Sequence, residues 1–221
     1  MITFVVATHN EETFNKDIGT SKIYLDNKYK FIIQKGFTNI REAYNNALPL
    51  VTTPYVCFLH HDVWMPPEFE EQLIFSLNEI NRLDPNHGVL GSAGAKYYNG
   101  DTLYLGSLFW ANHIWGHVNL APYKQFGIVD TLDELMLIMK TQDCQKFKEQ
   151  LILNHFYGSE QCLAMSFLGK KNYALPLFCS HSSLPNNRPE KENEELLQCA
   201  NYFKTLYPQL VPFSTTCMKV E

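Results

Sequence analysis

Three short apolar runs constrain the fold of this chain more than any other feature: Ile2 to Ala7, Phe31 to Ile33 and Tyr55 to Leu59. Each is continuous rather than alternating, which suits strands covered on both faces, as in a parallel sheet sandwiched by helices. Between the second and third runs, Asn39 to Val51 carries Ile40, Ala43, Tyr44, Ala47 and Leu48 at helical spacing. After Pro66-Pro67, the apolar positions Phe69, Leu73, Leu77 and Ile80 line one face of a helix predicted over Glu68 to Leu83. Pro67 near its first turn fits a helix start. Strand, helix, strand, helix in this order predicts a three-layer α/β/α sandwich with right-handed crossovers and a mostly parallel central sheet.

The remainder adds a strand or strand end at Val89 to Ala95, with glycines where something must approach closely. Tyr97 to Tyr123 is irregular and aromatic. Val129 to Met139 mixes apolar residues with Asp130, Asp133 and Glu134. A helix is predicted near Ser159 to Leu168, then a strand at Tyr173 to Phe178 that runs into Cys179-Ser180-His181. A polar loop, Ser182 to Asn193, precedes a last helix over Glu194 to Leu206 and a C-terminal tail. No repeat or low-complexity linker interrupts this course, so residues 1–221 read as one domain.

Composition excludes several classes. A net charge of −5 argues against a nucleic-acid footprint, which is normally basic. The six cysteines (Cys57, Cys144, Cys162, Cys179, Cys199 and Cys217) contain no C-x-x-C pair, so no structural zinc site is indicated. The start, MITFVVATHNEE, lacks the basic flank and long apolar region of a secretory signal. Reduced thiols and a cytoplasmic setting are therefore expected. No apolar stretch is long enough for a transmembrane helix. Leu103 to Ala121 comes nearest. A peripheral membrane contact through Phe109, Trp110, Ile114 and Trp115 stays open there, although a pocket wall suits them better.

Ligands of open α/β sheets bind beyond the carboxyl ends of the strands. Three strand ends here are polar: Thr8-His9-Asn10-Glu11, His60-His61-Asp62, and His181. All three are expected to converge on one crevice. Asp62 stands too far before the Pro66-Pro67 helix start to cap that helix, which leaves a solvated strand end or a cation ligand. A hard carboxylate oxygen suits Mg²⁺ or Mn²⁺, ions that bridge phosphate oxygens. His60 and His61 point to opposite faces if the strand continues, so at most one joins Asp62. His181 reads either as a buried, hydrogen-bonded histidine or as a second ligand. Glu160, in Tyr157-Gly158-Ser159-Glu160, reads either as a first-turn acid favoured by the helix dipole or as a general base. Thr8 to Glu11 is either a plain helix start or a nucleotide cradle. It has no Gly-rich fingerprint, so neither a dinucleotide fold nor a P-loop is supported.

Taken in order, several segments resemble nucleotide-sugar glycosyltransferases of the GT-A fold, near the family 2 group. They are FVVATHNEE at the start, REAYNNAL (Arg41 to Leu48), YVCFLHHDVWMPPEFEEQL, VDTLDE (Val129 to Glu134), FYGSEQCLA (Phe156 to Ala164) and HSS (His181 to Ser183). The branch it is most similar to carries an F-x-H-x-D-V motif. The resemblance implies transfer of a sugar from a UDP- or GDP-sugar donor to a saccharide or glycoconjugate hydroxyl, with inversion. It implies Mn²⁺ or Mg²⁺ on Asp62 and His181. Thr8, Asn10, Glu11, Asn45, His61, Asp62 and Trp115 are then donor-binding candidates. Glu160 is the first candidate base, with Asp133 and Glu134 as rivals. The donor half is expected over about 1–95 and the acceptor half over about 96–206. Trp110, Trp115 and Tyr157 either stack on sugar faces or pack in the core. The chain departs from the family at His60, which stands where the Asp-X-Asp motif has its first acid. A non-catalytic nucleotide-sugar-binding module, a metal-dependent nucleotidyltransferase or phosphohydrolase, and a plain interaction domain are the other readings.

Overall fold

The computed structural model describes residues 1–106, 108–110, 113–115, 126–149, 155–182 and 190–221. Its central sheet has seven strands: β1 (Ile2–Thr8), β2 (Lys30–Lys35), β3 (Tyr55–His60), β4 (Leu90–Gly91), β5 (Gly127–Val129), β6 (Met136–Lys140) and β7 (Asn172–Ala174). They lie in the order β5-β7-β4-β6-β3-β1-β2. β1 pairs in parallel with both β2 and β3, and β7 in parallel with β4. β6 runs antiparallel between β3 and β4, and β5 antiparallel on the outer edge of β7. The sheet is thus mostly parallel, with two reversed strands.

Alternation along the strands divides the core in two. Val5, Val56, Phe58, Leu137 and Met139 face one layer, with Tyr44 and Ala47 of α1 (Ile40–Ala47). The same layer holds Cys162 to Met165 of α3 (Tyr157–Phe167) and Leu196, Cys199 and Phe203 of α4 (Glu190–Leu206). Phe4, Val6, Cys57, Leu59, Met136 and Ile138 face the other layer, with Phe69, Leu73 and Ile80 of α2 (Phe69–Leu83). Both faces of β1, β3 and β6 are therefore dry, which is why those strands read as unbroken apolar runs. The result is the three-layer α/β/α sandwich that the GT-A resemblance implies.

Four expectations change in detail. Val129 to Met139 is not one mixed segment: it closes β5, pairs Thr131–Leu132 with Ala93–Tyr98, and then forms β6 in the middle of the sheet. Val89 to Ala95 splits into β4 and the start of a strand, Ala93–Tyr98, that leaves the main sheet to pair with Asp101–Gly106. The glycines there do mark close approaches, since a Cβ on Gly91 would lie 2.7 Å from the Met136 carbonyl oxygen. Tyr173 to His181 is two strands, not one. Cys179–His181 belongs to a small separate sheet, antiparallel to Val63–Trp64 and parallel to Leu108–Trp110. The C-terminal tail is structured as well: Phe213–Ser214 and Lys219–Val220 form a hairpin whose Phe213 and Val220 are buried in the core. Parts of the Tyr97 to Tyr123 and Ser182 to Asn193 segments lie outside the described residues. No disulfide links the six cysteines. Among the described residues no helix is long and apolar enough to cross a membrane.

Candidate active site

Because β1 and β3 are parallel neighbours with Ala7 beside His60, their carboxyl ends open at one place. The chain leaves β3 at His60, turns through His61 and Asp62, and re-enters a strand at Val63. Val63 pairs with His181, and this pairing carries a histidine more than a hundred residues away to Asp62. His181 Nε2 lies 3.1 Å from Asp62 Oδ1. The backbone N–H of Ser182 donates to the Asp62 carbonyl at 2.9 Å. His60 Nδ1 lies 3.8 Å from the same Asp62 Oδ1, and the rings of His60 and His181 are 5.7 Å apart. His60, Asp62 and His181 each offer a ligand atom, all within 4.8 Å of one another. His61 turns the other way and meets His9 edge to face at 4.7 Å.

The cluster forms one wall of a cavity of about 780 Å³, whose lining includes Thr8, His9, Asn10, Gln34, Phe37 and His61. Thr8 and Asn10 shape its rim: Thr8 Oγ1 accepts from the Asn10 N–H at 3.2 Å, and Asn10 Oδ1 caps the following turn through the Thr13 N–H at 3.1 Å. Glu11 is not in this lining; it is exposed and forms an ion pair with Lys35. Asn45 lies elsewhere too. Its amide donates to the Phe147 carbonyl and to Glu149 Oε1, both at 2.8 Å, so it holds the 147–149 segment against α1. Trp115 lies in a strand, His113–Trp115, opposite Leu108, and its side chain is outside the described residues.

Charge within the cluster is unevenly shared. Burial lowers the His60 pKa to about 4, against the pull of Asp62, so His60 is neutral at physiological pH. Burial also lowers that of His61. Burial opposes a charge on His181 too, but the hydrogen bond and charge of Asp62, with Asp133 and Asp17 beyond it, outweigh burial and raise its pKa. Asp17 stands behind the cluster, buried, with Oδ1 accepting from Ser182 Oγ at 2.6 Å. Desolvation raises its pKa, and the neighbouring Asp62 charge adds to the effect.

The three candidate bases have different surroundings. Glu160 is 1% exposed. Its carboxylate meets Arg41 Nε at 3.3 Å and Lys148 Nζ at 3.4 Å, and accepts the Lys148 N–H at 2.9 Å. Arg41 also donates to the His155 carbonyl at 2.7 Å. Glu160 thus ties α1, α3 and the segment before α3 together. Glu134 Oε1 accepts the N–H of Gly158 at 3.0 Å, and burial raises its pKa to about 8. Asp133 is half-buried. Its Oδ1 accepts the Leu135 N–H at 3.1 Å, and its charge reaches both His60 and His181. Tyr157 is fully buried among Tyr44 and Phe147, so it packs in the core and offers no face to a sugar. Its hydroxyl meets His60 Nε2 and donates to the Glu134 carbonyl at 3.0 Å.

A family model described as "Glycosyltransferase like family" matches residues 3–195, nearly the whole of this architecture and every residue of the cluster. The chain belongs to this glycosyltransferase family. It is 26% identical over 151 residues to the protein "ATP synthase subunits region ORF 6" of Fuscovulum blasticum, covering 62% of this chain and 55% of that protein. The chain therefore spans about half the length of the curated relative it matches. Among solved structures, residues 1–349 of S. aureus TarS superpose with a TM-score of 0.55 at 14% identity, over 92% of this chain and 65% of that one. The same TarS fragment in complex with UDP-GlcNAc gives 0.56 at 12% identity, over 92% and 66%. At these identities the likeness is one of fold.

The donor set of the cluster fits a divalent cation. One carboxylate and two imidazoles converge on a wall that faces open space, leaving positions for other ligands. Two nitrogen donors disfavour Mg²⁺, which prefers oxygen, and suit a cation that accepts imidazole as well as carboxylate. His60 has no ligand role from the sequence: it is the histidine of the F-x-H-x-D-V resemblance, but β-alternation alone leaves His60 and His61 equivalent. Asp17 and Ser182 are likewise silent in sequence. The pairing of Val63 with His181 brings Ser182 to the site, where its hydroxyl meets Asp17.

Proposed function

We propose that the protein transfers a sugar from a nucleotide-sugar to an acceptor hydroxyl at the His60–Asp62–His181 wall, with a divalent cation held there. The observation that carries this reading is the convergence of those three side chains, from two strands far apart in sequence, on a cavity at the carboxyl edge of β1 and β3. A cation bound there supplies positive charge that stabilises a departing diphosphate. Phe37, Gln34, His61 and His9 offer an aromatic and hydrogen-bonding lining for the nucleoside on the other side of the cavity.

In the transfer, the acceptor oxygen forms a bond to the anomeric carbon as the bond from that carbon to the phosphate oxygen breaks, which inverts the centre in a single displacement. The acceptor's proton passes to a carboxylate. Asp133 fits this role best of the three candidates. Glu160 is spent on Arg41 and Lys148, and Glu134 is held by Gly158 and largely protonated below pH 8.

UDP-GlcNAc is the first donor to test, since the solved TarS complex contains it. The test is a thermal-shift panel of UDP- and GDP-sugars with Mn²⁺ or Mg²⁺. A donor at a hundred times its dissociation constant stabilises by about 2.7 kcal/mol, or roughly 5–10 °C for a chain of this size. We expect one donor to give such a shift, and only with the cation. Absence of a shift with every nucleotide-sugar tried would sink the reading. Acceptor-independent hydrolysis at full rate would favour a phosphohydrolase.

A further inference from the structure

One contact behind the cluster specifies which atom of His60 faces the cation. The Tyr157 hydroxyl has a single proton. Its oxygen lies 3.0 Å from the carbonyl oxygen of Glu134, a group that can only accept. The phenol proton points there, because two acceptor oxygens at that distance would repel; the Tyr44 hydroxyl, the other polar group beside this phenol, has a proton of its own to donate to it. The same phenol oxygen meets Nε2 of His60. With its own proton committed, it can only accept from that nitrogen, so Nε2 carries a hydrogen. In a neutral ring the bare nitrogen is then Nδ1, the atom 3.8 Å from Asp62 Oδ1. That separation is too long for a hydrogen bond. It suits two lone-pair donors that share a cation between them.

We infer that Tyr157 is a positioning residue, which fixes His60 as the Nε2–H tautomer and thereby presents Nδ1, beside Asp62, as its metal-ligating atom. The second half of this inference rests on the cation site proposed above; the first half does not. The phenol can do this because it is immobile. It is fully buried, its ring is boxed by Tyr44 and Phe147, and it sits in the first turn of α3, whose next N–H, that of Gly158, is bonded to Glu134 Oε1. Glu134 thus receives α3 twice, through its carbonyl and through its carboxyl. Histidine ligands to metals commonly donate their other ring N–H to an oxygen partner, which orients the ring. Here that partner is a phenol relayed to a backbone carbonyl.

The decisive readout needs no metal and no turnover. Long-range ¹H–¹⁵N spectra of histidine-labelled, chelator-treated protein report which ring nitrogen is protonated, with His60 assigned by its loss in His60→Gln. We expect the Nε2–H pattern for His60 in the parent protein and a mixture of tautomers in Tyr157→Phe. Mn²⁺ titration of the two proteins should then show an affinity about 10-fold weaker in the variant. An Nδ1–H pattern in the parent protein overturns the inference without recourse to any variant. So does a Tyr157→Phe protein with an unchanged tautomer and unchanged affinity. If the parent protein binds no Mn²⁺, the ligand role of Nδ1 falls together with the proposed cation site, and the tautomer assignment is decided by the metal-free spectrum alone.

Discussion

At the scale of single residues, what a carboxylate can do here is decided by its neighbours. Glu160 lies in the first turn of α3, two residues after Gly158, and from sequence it is the first candidate for the base. Its geometry is that of a tie: Arg41 is wholly buried, and the Glu160 side chain is 2% exposed. Removing one partner of such a pair destabilises by about 3–5 kcal/mol, because a desolvated charge loses its counter-charge. Glu160→Gln is therefore expected to lower the urea midpoint strongly. Asp133→Asn should leave that midpoint nearly unchanged and lower transfer by roughly 10²–10⁴ at saturating donor, the usual effect of losing a general base. A stable Glu160→Gln protein without transfer activity would reverse the two roles. Asp62 was legible because prolines end its strand context abruptly and a carboxylate there has no helix to cap. His60 was legible only as the histidine of the F-x-H-x-D-V resemblance, with no role attached; its place as the ligand candidate comes from Tyr157 behind it and His9 beside His61.

At the scale of elements, the first three strands were legible as unbroken apolar runs, and α1 and α2 by their helical period; the short helices Glu11–Lys16 and Lys22–Leu25 between β1 and β2 were not. β6 was hidden. Its MLIMK run is as apolar as any parallel strand, yet it follows Asp133 and Glu134 and enters the sheet antiparallel. No local signal carries strand direction, which is set by where the chain has to return from. The start of α3 shows how such elements are joined. Phe156 adopts the left-handed region at φ 63° while its side chain is 2% exposed, so burial of the phenyl group holds a conformation that a non-glycine residue avoids. Gly158 follows in the first turn. A Cβ there would lie 3.0 Å from Glu134 Cγ, 3.2 Å from Leu137 Cδ2 and 3.3 Å from the Leu132 carbonyl oxygen. Alanine normally gains about 1 kcal/mol over glycine in a helix interior. The Glu134 side chain is bonded to Gly158's own N–H, so it cannot yield without giving up that bond, and near a helix start the propensity gain is small. Gly158→Ala is expected to lower Tm by a few degrees, by roughly 2–4 °C per kcal/mol. A rise in Tm would mean that Glu134 moves freely and does not anchor α3.

At the scale of the molecule, the buried site makes folding stability depend on pH in a way that surface charge does not. Three groups matter, and their signs differ. Glu134 has its pKa raised to about 8 by burial, from 4.5, so the folded protein holds a proton there that the unfolded chain has already released. Its contribution is complete below 4.5 and is lost as pH rises through 8. His181 is also raised, above 6.5, by Asp62, so it adds a loss of the same sign as pH rises past 6.5. His60 works in the opposite sense. Its pKa falls from 6.5 to about 4, so its contribution is complete above 6.5 and is lost as pH falls toward 4. Between 4.5 and 6.5 the Glu134 and His60 terms oppose one another. From 6.5 to 8 nothing offsets Glu134 and His181, and stability should fall by about 1 kcal/mol per pH unit or more. Metal-free protein, kept in chelator, should therefore hold a plateau of stability from about pH 4.5 to 6.5 and lose stability above it. Urea melts of parent and Glu134→Gln proteins from pH 5 to 9 test this. The variant should lose most of the decline above 6.5 and keep the smaller part due to His181. A parent protein equally stable at pH 6.5 and 8.5 would show that Glu134 is ionised in the folded state, and the case for Asp133 over Glu134 as the base would lose its main support.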